Sequence, residues 1–332
     1  MVEEIDRRFC IAPMLDWTDR HCRYLLRLIF PRALLYTEMV TAAAVRHGNQ
    51  DRLLAFSESE HPVALQLGGA EPEDMAFAAE VGQEYGYDEI NINVGCPSDR
   101  VQSGMFGACL MLQPHVVAAS VSAIREAIDI PVTVKTRIGV DHRDDYDFLK
   151  EFVERVAAAG CGVFIIHART AWLQGLSPKE NREIPPLHYE RVYRLKEDFP
   201  GLKIILNGGI NNSLDAINQL NKVDGVMVGR CAYQDPYVLA GLYGSVSGKA
   251  FLPSREEVVY RYLQYVEQQL ERGVYLKHMT RHMMGLYQGL PGARAWRRCL
   301  SENSCTPGAG VEVIKAALEC VSASQARASY GT

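Results

Sequence analysis

A thiol stands at Cys96 inside the run DEININVGCPSDR, held between a glycine and a proline. Asp88 to Val94 reads as a buried strand, so Cys96 falls just past a strand end, in a stiff turn. A thiol in that place fits a nucleophile, a metal ligand or a general acid. No partner cysteines stand at metal-ligand spacing, which argues against metal. A free thiol titrates near ~8.5 and still carries a proton to give at neutral pH. The stretch alone leaves nucleophile and acid both open. Cys10, Cys22, Cys161 and Cys231 read instead as small hydrophobes.

Other apolar runs also end in unusual polar or small residues. Pro13 and Met14 follow CIA, and Gln66 precedes Gly68-Gly69. Asn91 and Asn93 lead into the Cys96 turn. Lys135 and Arg137 close PVTVKTR, and His167 and Arg169 close GVFIIHAR. Asn207 precedes Gly208-Gly209, and Gly229-Arg230 follows DGVMV. Gln66 and Lys135 lie on apolar strands, where an unpaired polar group is costly. A flavin ring satisfies both: its O4/N3/O2 edge takes an amide, and a cation near N1 stabilises the reduced anion. The competing reading pairs Lys135 with a barrel carboxylate such as Glu38. A lone histidine is more often a satisfied core residue, but His167 keeps company with Lys135 and Arg169, which favours a cofactor or substrate contact. The NGGI and VGR turns feed helices, and backbone N–H groups there bind phosphate in many barrels, with Arg230 adding a charge. The bland reading is that these glycines simply make tight turns.

One architecture gathers all these ends. Eight apolar runs, rich in Val and Ile, lie at 10–15, 33–39, 62–69, 88–94, 131–137, 162–169, 203–209 and 224–230. Most lack strict alternation, as strands buried on both faces do. Helical stretches separate them. The spacing predicts helices over 72–86, which opens on a proline and early acids, over 114–128, over 146–160, and over 213–223, with Ser213 as its cap. Strands alternating with helices over about 240 residues predict a (β/α)8 TIM barrel, which brings its strand ends to one mouth. A doubly wound sheet is the rival. From about Gly244 a Gly/Ser/Pro-bearing connector (242–254) leads to helical stretches at 255–273, 276–290, 293–303 and 311–325, with no β-like run. The expected division is a catalytic barrel over 1–243 and a small all-helical domain over 244–332.

Composition sets the class. The chain has 332 residues, nine cysteines and a net charge of −5. No apolar run nears the ~18 residues that span a membrane, and MVEEIDRRF lacks the apolar region of a secretory leader. Free thiols in a reducing cytoplasm are the expectation. An overall acidic charge does not advertise a nucleic-acid binder. From Ser245 onward, however, 11 Lys and Arg face 7 acids, a balance of +4 against −9 for the rest.

APMLDWTD (12–19), TEMV (37–40), QLGG (66–69), ININVGCPS (90–98), VKTRIG (133–138), IIHART (165–170), NGGI (207–210) and VGR (228–230) together resemble the tRNA-dihydrouridine synthases. The resemblance runs in order from Ile11 to about Gly241, with no departure from the family's key motifs. DHRDDYDFL after the fifth run and KHMTRHMMGLYQGLPGARAWRR (277–298) are similar to the bacterial A-type subfamily. The resemblance implies FMN at the mouth of the barrel and NADPH as reductant. It implies reduction of uridine to 5,6-dihydrouridine in the tRNA D-loop, at positions 20 and 20a. By the same resemblance Cys96 donates the proton to C5. Pro13, Met14, Gln66, Lys135, His167, Asn207, Gly208, Gly209, Gly229 and Arg230 hold FMN. Asn93, Arg137 and Arg169 meet the uracil or its nucleotide.

The chemistry of the residues agrees with that implication. Hydride at C6 builds an enolate-like charge that needs a proton at C5, and a thiol on a stiff turn supplies it. A base within folded tRNA must be splayed out to reach a flavin. Lys277, Arg281, Arg294, Arg297 and Arg298 of the helical region then become phosphate contacts, against the plain reading of a solvated helix face. No metal and no membrane partner is expected, and one site per chain suggests that a monomer suffices. Three other readings remain: an FMN barrel acting on a free pyrimidine or an enoate, an RNA-binding barrel without catalysis, and a Schiff-base lyase using Lys135.

Overall fold

The computed structural model describes residues 5–98, 101, 104–248 and 252–330. Each of the eight apolar runs contains a strand. They are β1 (Phe9–Ile11), β2 (Leu35–Tyr36), β4 (Val63–Gly68), β5 (Glu89–Val94), β6 (Val132–Arg137), β7 (Val163–His167), β8 (Lys203–Asn207) and β9 (Gly225–Val228). A short extra strand, β3 (Val40–Thr41), pairs with the end of β4. All pairings are parallel, in the order β1-β9-β8-β7-β6-β5-β4-β2. A parallel bridge between Cys10 and Leu34 joins β1 to the approach of β2 and closes the ring. The fold is a (β/α)8 TIM barrel followed by a helical C-terminal region, as the alternation predicts.

The period of two along β5 explains how the barrel is filled. Ile90, Ile92 and Val94 pack outward into the large apolar layer under the helices. Glu89, Asn91 and Asn93 point inward, and all three are buried. One side of the lumen is apolar, with Cys10, Leu34, Tyr36, Ala64, Ile165, Ile205 and Met227 in contact. The other side is polar. The expectation of continuous apolar strands therefore holds for the outer face and fails for this part of the inner one.

The predicted helices form as Pro72–Glu84, Pro114–Ala127, Tyr146–Ala158 and Ser213–Leu220. The last has a different cap from the one expected. Asn212 accepts from the Asp215 amide at 2.9 Å, while the Ser213 hydroxyl donates to the Val238 carbonyl. Among the C-terminal stretches, Arg255–Glu271, Ala293–Asn303 and Glu312–Tyr330 are helices. The expected helix over 276–290 is not continuous. It runs Leu276–Thr280, tightens over Arg281–Met283 and then breaks into turns. Side chains take the carbonyls that a longer helix would use: Tyr233 bonds Arg281, Trp296 bonds Met283, and Arg255 bonds Leu286. The connector expected over 242–254 is also partly helical, since helix Ala240–Ser247 runs through position 244.

The helical region is tied to the barrel near Asp19. This residue caps helix Arg20–Ile29 by accepting from the His21 and Cys22 amides. It also receives Arg281 Nη2 at 2.7 Å and His282 Nε2 at 3.0 Å. Burial alone would raise the Asp19 carboxyl, but His282 and the cap amides hold it well below the usual carboxylate range. Trp17 stacks on Tyr233, with centroids 4.4 Å apart, and Tyr24 stacks on Tyr265 at 3.9 Å. On the same helix, Arg23 is paired with the fully buried Glu60 at 2.7 Å. Glu60→Gln is expected to lower unfolding free energy by about 3 kcal/mol in urea titration, because it leaves the Arg23 charge buried without its counter-charge.

Candidate active site

The turn after β5 is clamped from three sides. Asn93 Oδ1 accepts from the amides of Gly95 (3.1 Å) and Cys96 (3.0 Å). Arg137 Nε, at the end of β6, donates to the Gly95 carbonyl at 3.1 Å. The Ala108 amide donates to the Cys96 carbonyl at 2.9 Å. That last contact needs Gly107, which holds φ at +77° and where a Cβ would lie 2.6 Å from the Cys96 oxygen. The Cys96 thiol is half-buried and reaches Ser98 Oγ at 3.5 Å. The cysteine is thus presented by a rigid backbone that does not depend on its own side chain.

Lys135, Arg137 and Arg182 lie near it. Strand register sets Asn93 beside Lys135, Arg137 beside His167, and His167 beside Asn207. Lys135 has no hydrogen bond or ion pair among the described residues. Glu38, the acid considered for it, instead accepts from the Asp16 amide. Burial, and then Arg137, push the Lys135 ammonium down to about 7, against a smaller opposing pull from Cys96. Arg137 is 3% exposed and, among the described residues, held only by the carbonyls of Gly95 and Asn181. Burial, with Arg137, Lys135, Arg169 and Arg182 around it, keeps the His167 imidazole well below its ordinary range. A neutral histidine and a cluster of unneutralised cations suit an anionic ligand.

Gln66 is 1% exposed and already engaged, accepting from Asn93 Nδ2 at 2.9 Å and donating to Asn91 Oδ1 at 2.7 Å. One amide N–H remains for a ligand on each of Gln66 and Asn93. Asn207 donates to the Met227 carbonyl at 2.7 Å. Gly208 and Gly209 hold φ at +110° and +71°. A Cβ on Gly208 would meet His167 at 2.6 Å, and one on Gly209 would meet Leu187 at 2.4 Å. Tyr189 donates to the Gly208 carbonyl. Gly229 opens helix Arg230–Gln234, with Ala12 and Met14 at 3.7 Å from where its Cβ would stand. The amides of Gly209 and Gly229 donate to no protein group among the described residues, which leaves them free for phosphate oxygens.

Several expected ligands are engaged elsewhere. Arg230 pairs with Glu183. Arg169 turns back to the carbonyls of Glu183 and Pro185, and its buried Nε has no partner among the described residues. Arg281 pairs with Asp19, and Arg297 bonds Gln288 at 2.8 Å. Lys277, Arg294 and Arg298 are exposed.

Residues 172–189 form a wall that motif reasoning passed over. Asn181 is fully buried, braces the segment through Trp172 and Leu176, and offers its carbonyl to Arg137. Arg182 stands beside it at the rim. The usable signal was length: a long polar loop after a barrel strand is where site residues accumulate. Among the described residues no group of three His, Cys, Asp or Glu is placed to hold a metal, and no helix is long and apolar enough to cross a membrane.

The fold and this site define a TIM-barrel enzyme with a rigidly held thiol beside a cluster of cations at the barrel mouth. The dihydrouridine synthase (Dus) family matches residues 10–324, so this chain belongs to that family. It is 59% identical to a tRNA-dihydrouridine(20/20a) synthase of Shewanella oneidensis, over 96% of this chain and 95% of that one. It is 57% identical to the proteins of that name from Vibrio cholerae, over 94% and 95%, and from Escherichia coli K12, over 95% and 91%.

Proposed function

We propose that the protein reduces uridine to 5,6-dihydrouridine in the tRNA D-loop, at positions 20 and 20a, with FMN as cofactor and NADPH as reductant. The observation that carries this reading is the clamped Cys96 turn facing Lys135, Arg137 and neutral His167. The names of relatives 57–59% identical along nearly the whole chain support the substrate and positions.

Pro13, Met14, Gln66, Lys135, His167, Asn207, Gly208, Gly209, Gly229 and Arg230 would hold FMN. The unneutralised Lys135 and the free amides of Gly209 and Gly229 suit its anionic parts. When bound, FMN supplies the hydride that adds to C6 of the uracil. Cys96 gives its Sγ proton to C5, and the resulting thiolate regains a proton from solvent. Lys135 and Arg137 stabilise negative charge that develops on the base and cofactor. Asn93 offers its remaining N–H to the uracil, and Arg137 and Arg169 hold its nucleotide. Residues 1–243 act as the FMN-binding barrel, and residues 244–332 as the tRNA-binding helical domain. There, exposed Lys277, Arg294 and Arg298 meet phosphates, joined by Arg297 and by Arg281 beside its Asp19 partner. With one site per chain a monomer suffices, and nine unpaired cysteines suit the cytoplasm.

The test is a visible spectrum of the purified protein, followed by dihydrouridine quantification in unmodified tRNA incubated with it and NADPH. A yellow protein that forms dihydrouridine at positions 20 and 20a is expected. A yellow protein that oxidises NADPH and leaves tRNA unchanged would move the substrate to a free pyrimidine or another acceptor. A protein that takes up no flavin would overturn the assignment of Lys135 and both glycine loops.

A further inference from the structure

Below the Cys96 turn a hydrogen-bonded chain crosses the barrel interior. Its lower end is Glu89, at the start of β5 and fully buried. Arg7 Nε and Nη2 reach Oε2 at 2.8 and 2.6 Å, while Tyr36 Oη and Thr133 Oγ1 donate to Oε1 at 2.9 and 2.7 Å. A carboxylate with four donors around it only accepts.

That fact sets the direction of every link above it. The single hydroxyl proton of Thr133 goes to Glu89, so Thr133 accepts from Asn91, whose Nδ2 lies 2.9 Å away. The Asn91 carbonyl then faces Gln66 and accepts from Nε2 at 2.7 Å. The Gln66 carbonyl in turn accepts from Asn93 Nδ2 at 2.9 Å. The Asn93 carbonyl is thereby left for the amides of Gly95 and Cys96. Thr133 and Asn91 are 0% exposed and Gln66 1%, so water is kept from breaking the sequence. Turned the other way, Asn93 would set an NH2 group against two N–H donors, and the Cys96 turn would lose its clamp.

We propose that Glu89, Thr133 and Asn91 are positioning residues for Cys96: the carboxylate at the base of the barrel orients the side-chain amides of Asn91, Gln66 and Asn93 in one direction and so fixes the thiol-bearing turn. None of the three needs to touch substrate or cofactor. The proposal rests on Cys96 being the proton donor, and it adds the device that aims it.

The test compares Thr133→Val, which keeps shape and loses the hydroxyl, with Thr133→Ser, which keeps the hydroxyl, and with Tyr36→Phe. Tyr36 bonds the same Glu89 oxygen but lies off the chain. Three readouts are taken on the purified enzyme: the alkylation rate of Cys96 by iodoacetamide, followed by peptide mass spectrometry, and kcat and KM for dihydrouridine formation. Thr133→Val is expected to change the alkylation rate about threefold or more and to lower kcat about tenfold, with KM for tRNA within about twofold. Thr133→Ser restores both. Tyr36→Phe lowers the melting temperature while leaving alkylation and kcat near wild type. Thr133→Ala carries the same expectation as Val should Val fail to fold. The proposal is overturned if these hydroxyl-less variants alkylate and turn over like wild type, or if Tyr36→Phe moves both as far. Should Cys96→Ala stay fully active while Thr133→Val still shifts alkylation, the relay stands and the proton-donor reading falls.

Discussion

Cys96→Ala is expected to keep its flavin and its NADPH oxidation while dihydrouridine formation falls by about a hundredfold or more. The separation follows from how the turn is built. Its clamps are the Asn93 carbonyl, the Arg137 guanidinium and the Ala108 amide, and all three act on backbone atoms of Gly95 and Cys96. Removing the thiol leaves them in place, and the proposed FMN contacts lie on other strands. The half-reaction that involves only NADPH and cofactor does not call on Cys96. In the proposed mechanism proton delivery to C5 does, and the nearby His167 imidazole, held neutral, has no acidic proton to give in its place. Stopped-flow NADPH oxidation without tRNA, beside mass-spectrometric dihydrouridine counts, separates the two steps. Dihydrouridine made at the wild-type rate would remove Cys96 from the mechanism.

The barrel was legible in the sequence because its outer face obeys simple rules. Val- and Ile-rich strands alternate with helices that open on Pro72 or Pro114 and close on residues such as Gly86, whose φ is +92°. The ends of those strands were legible for a different reason: Lys135, Gln66 and Asn93 contradict the apolar pattern around them, and such contradictions concentrate at sites. The partners of those residues were not legible. Each of Gln66, Asn91 and Thr133 has its partner on a neighbouring strand, so the chain they form depends on strand register, which no local pattern encodes. The resemblance implies that Gln66 and Asn93 serve ligands; the structure adds that they bond each other, and that Gln66 also bonds Asn91 while Asn93 bonds the Gly95 and Cys96 amides. Tertiary contacts also decided the C-terminal region. The segment after Thr280 has helical composition, but Tyr233, Trp296 and Arg255 claim its carbonyls from outside. Arg281 and Arg230 illustrate the same limit for charge, because a basic residue read as free for phosphate already has Asp19 or Glu183 beside it.

Lys135→Met is expected to weaken FMN binding by about a hundredfold at neutral pH and to abolish a proton uptake that accompanies binding to the wild-type apoprotein. Burial and Arg137 bring the Lys135 ammonium down to about 7, whereas in the unfolded chain it titrates near ~10.4. Between those values the unfolded chain binds more protons than the folded one, so this group makes apoprotein stability rise with pH across the window from about 7 to ~10.4. Below about pH 7 both states carry the proton and the full cost of burying the charge remains. An anion bound beside Lys135 reverses that cost and pulls its pKa back up. Binding near pH 8 should then take up most of one proton, and recovery of about two pKa units corresponds to about a hundredfold in affinity. Calorimetry of FMN binding in two buffers of different ionisation enthalpy reads the proton uptake directly. Urea melts of the apoprotein at pH 7 and pH 9 read the stability slope, which Lys135→Met should flatten. Equal proton uptake in variant and wild type would move the anion away from Lys135, and an unchanged slope would place its titration outside this window.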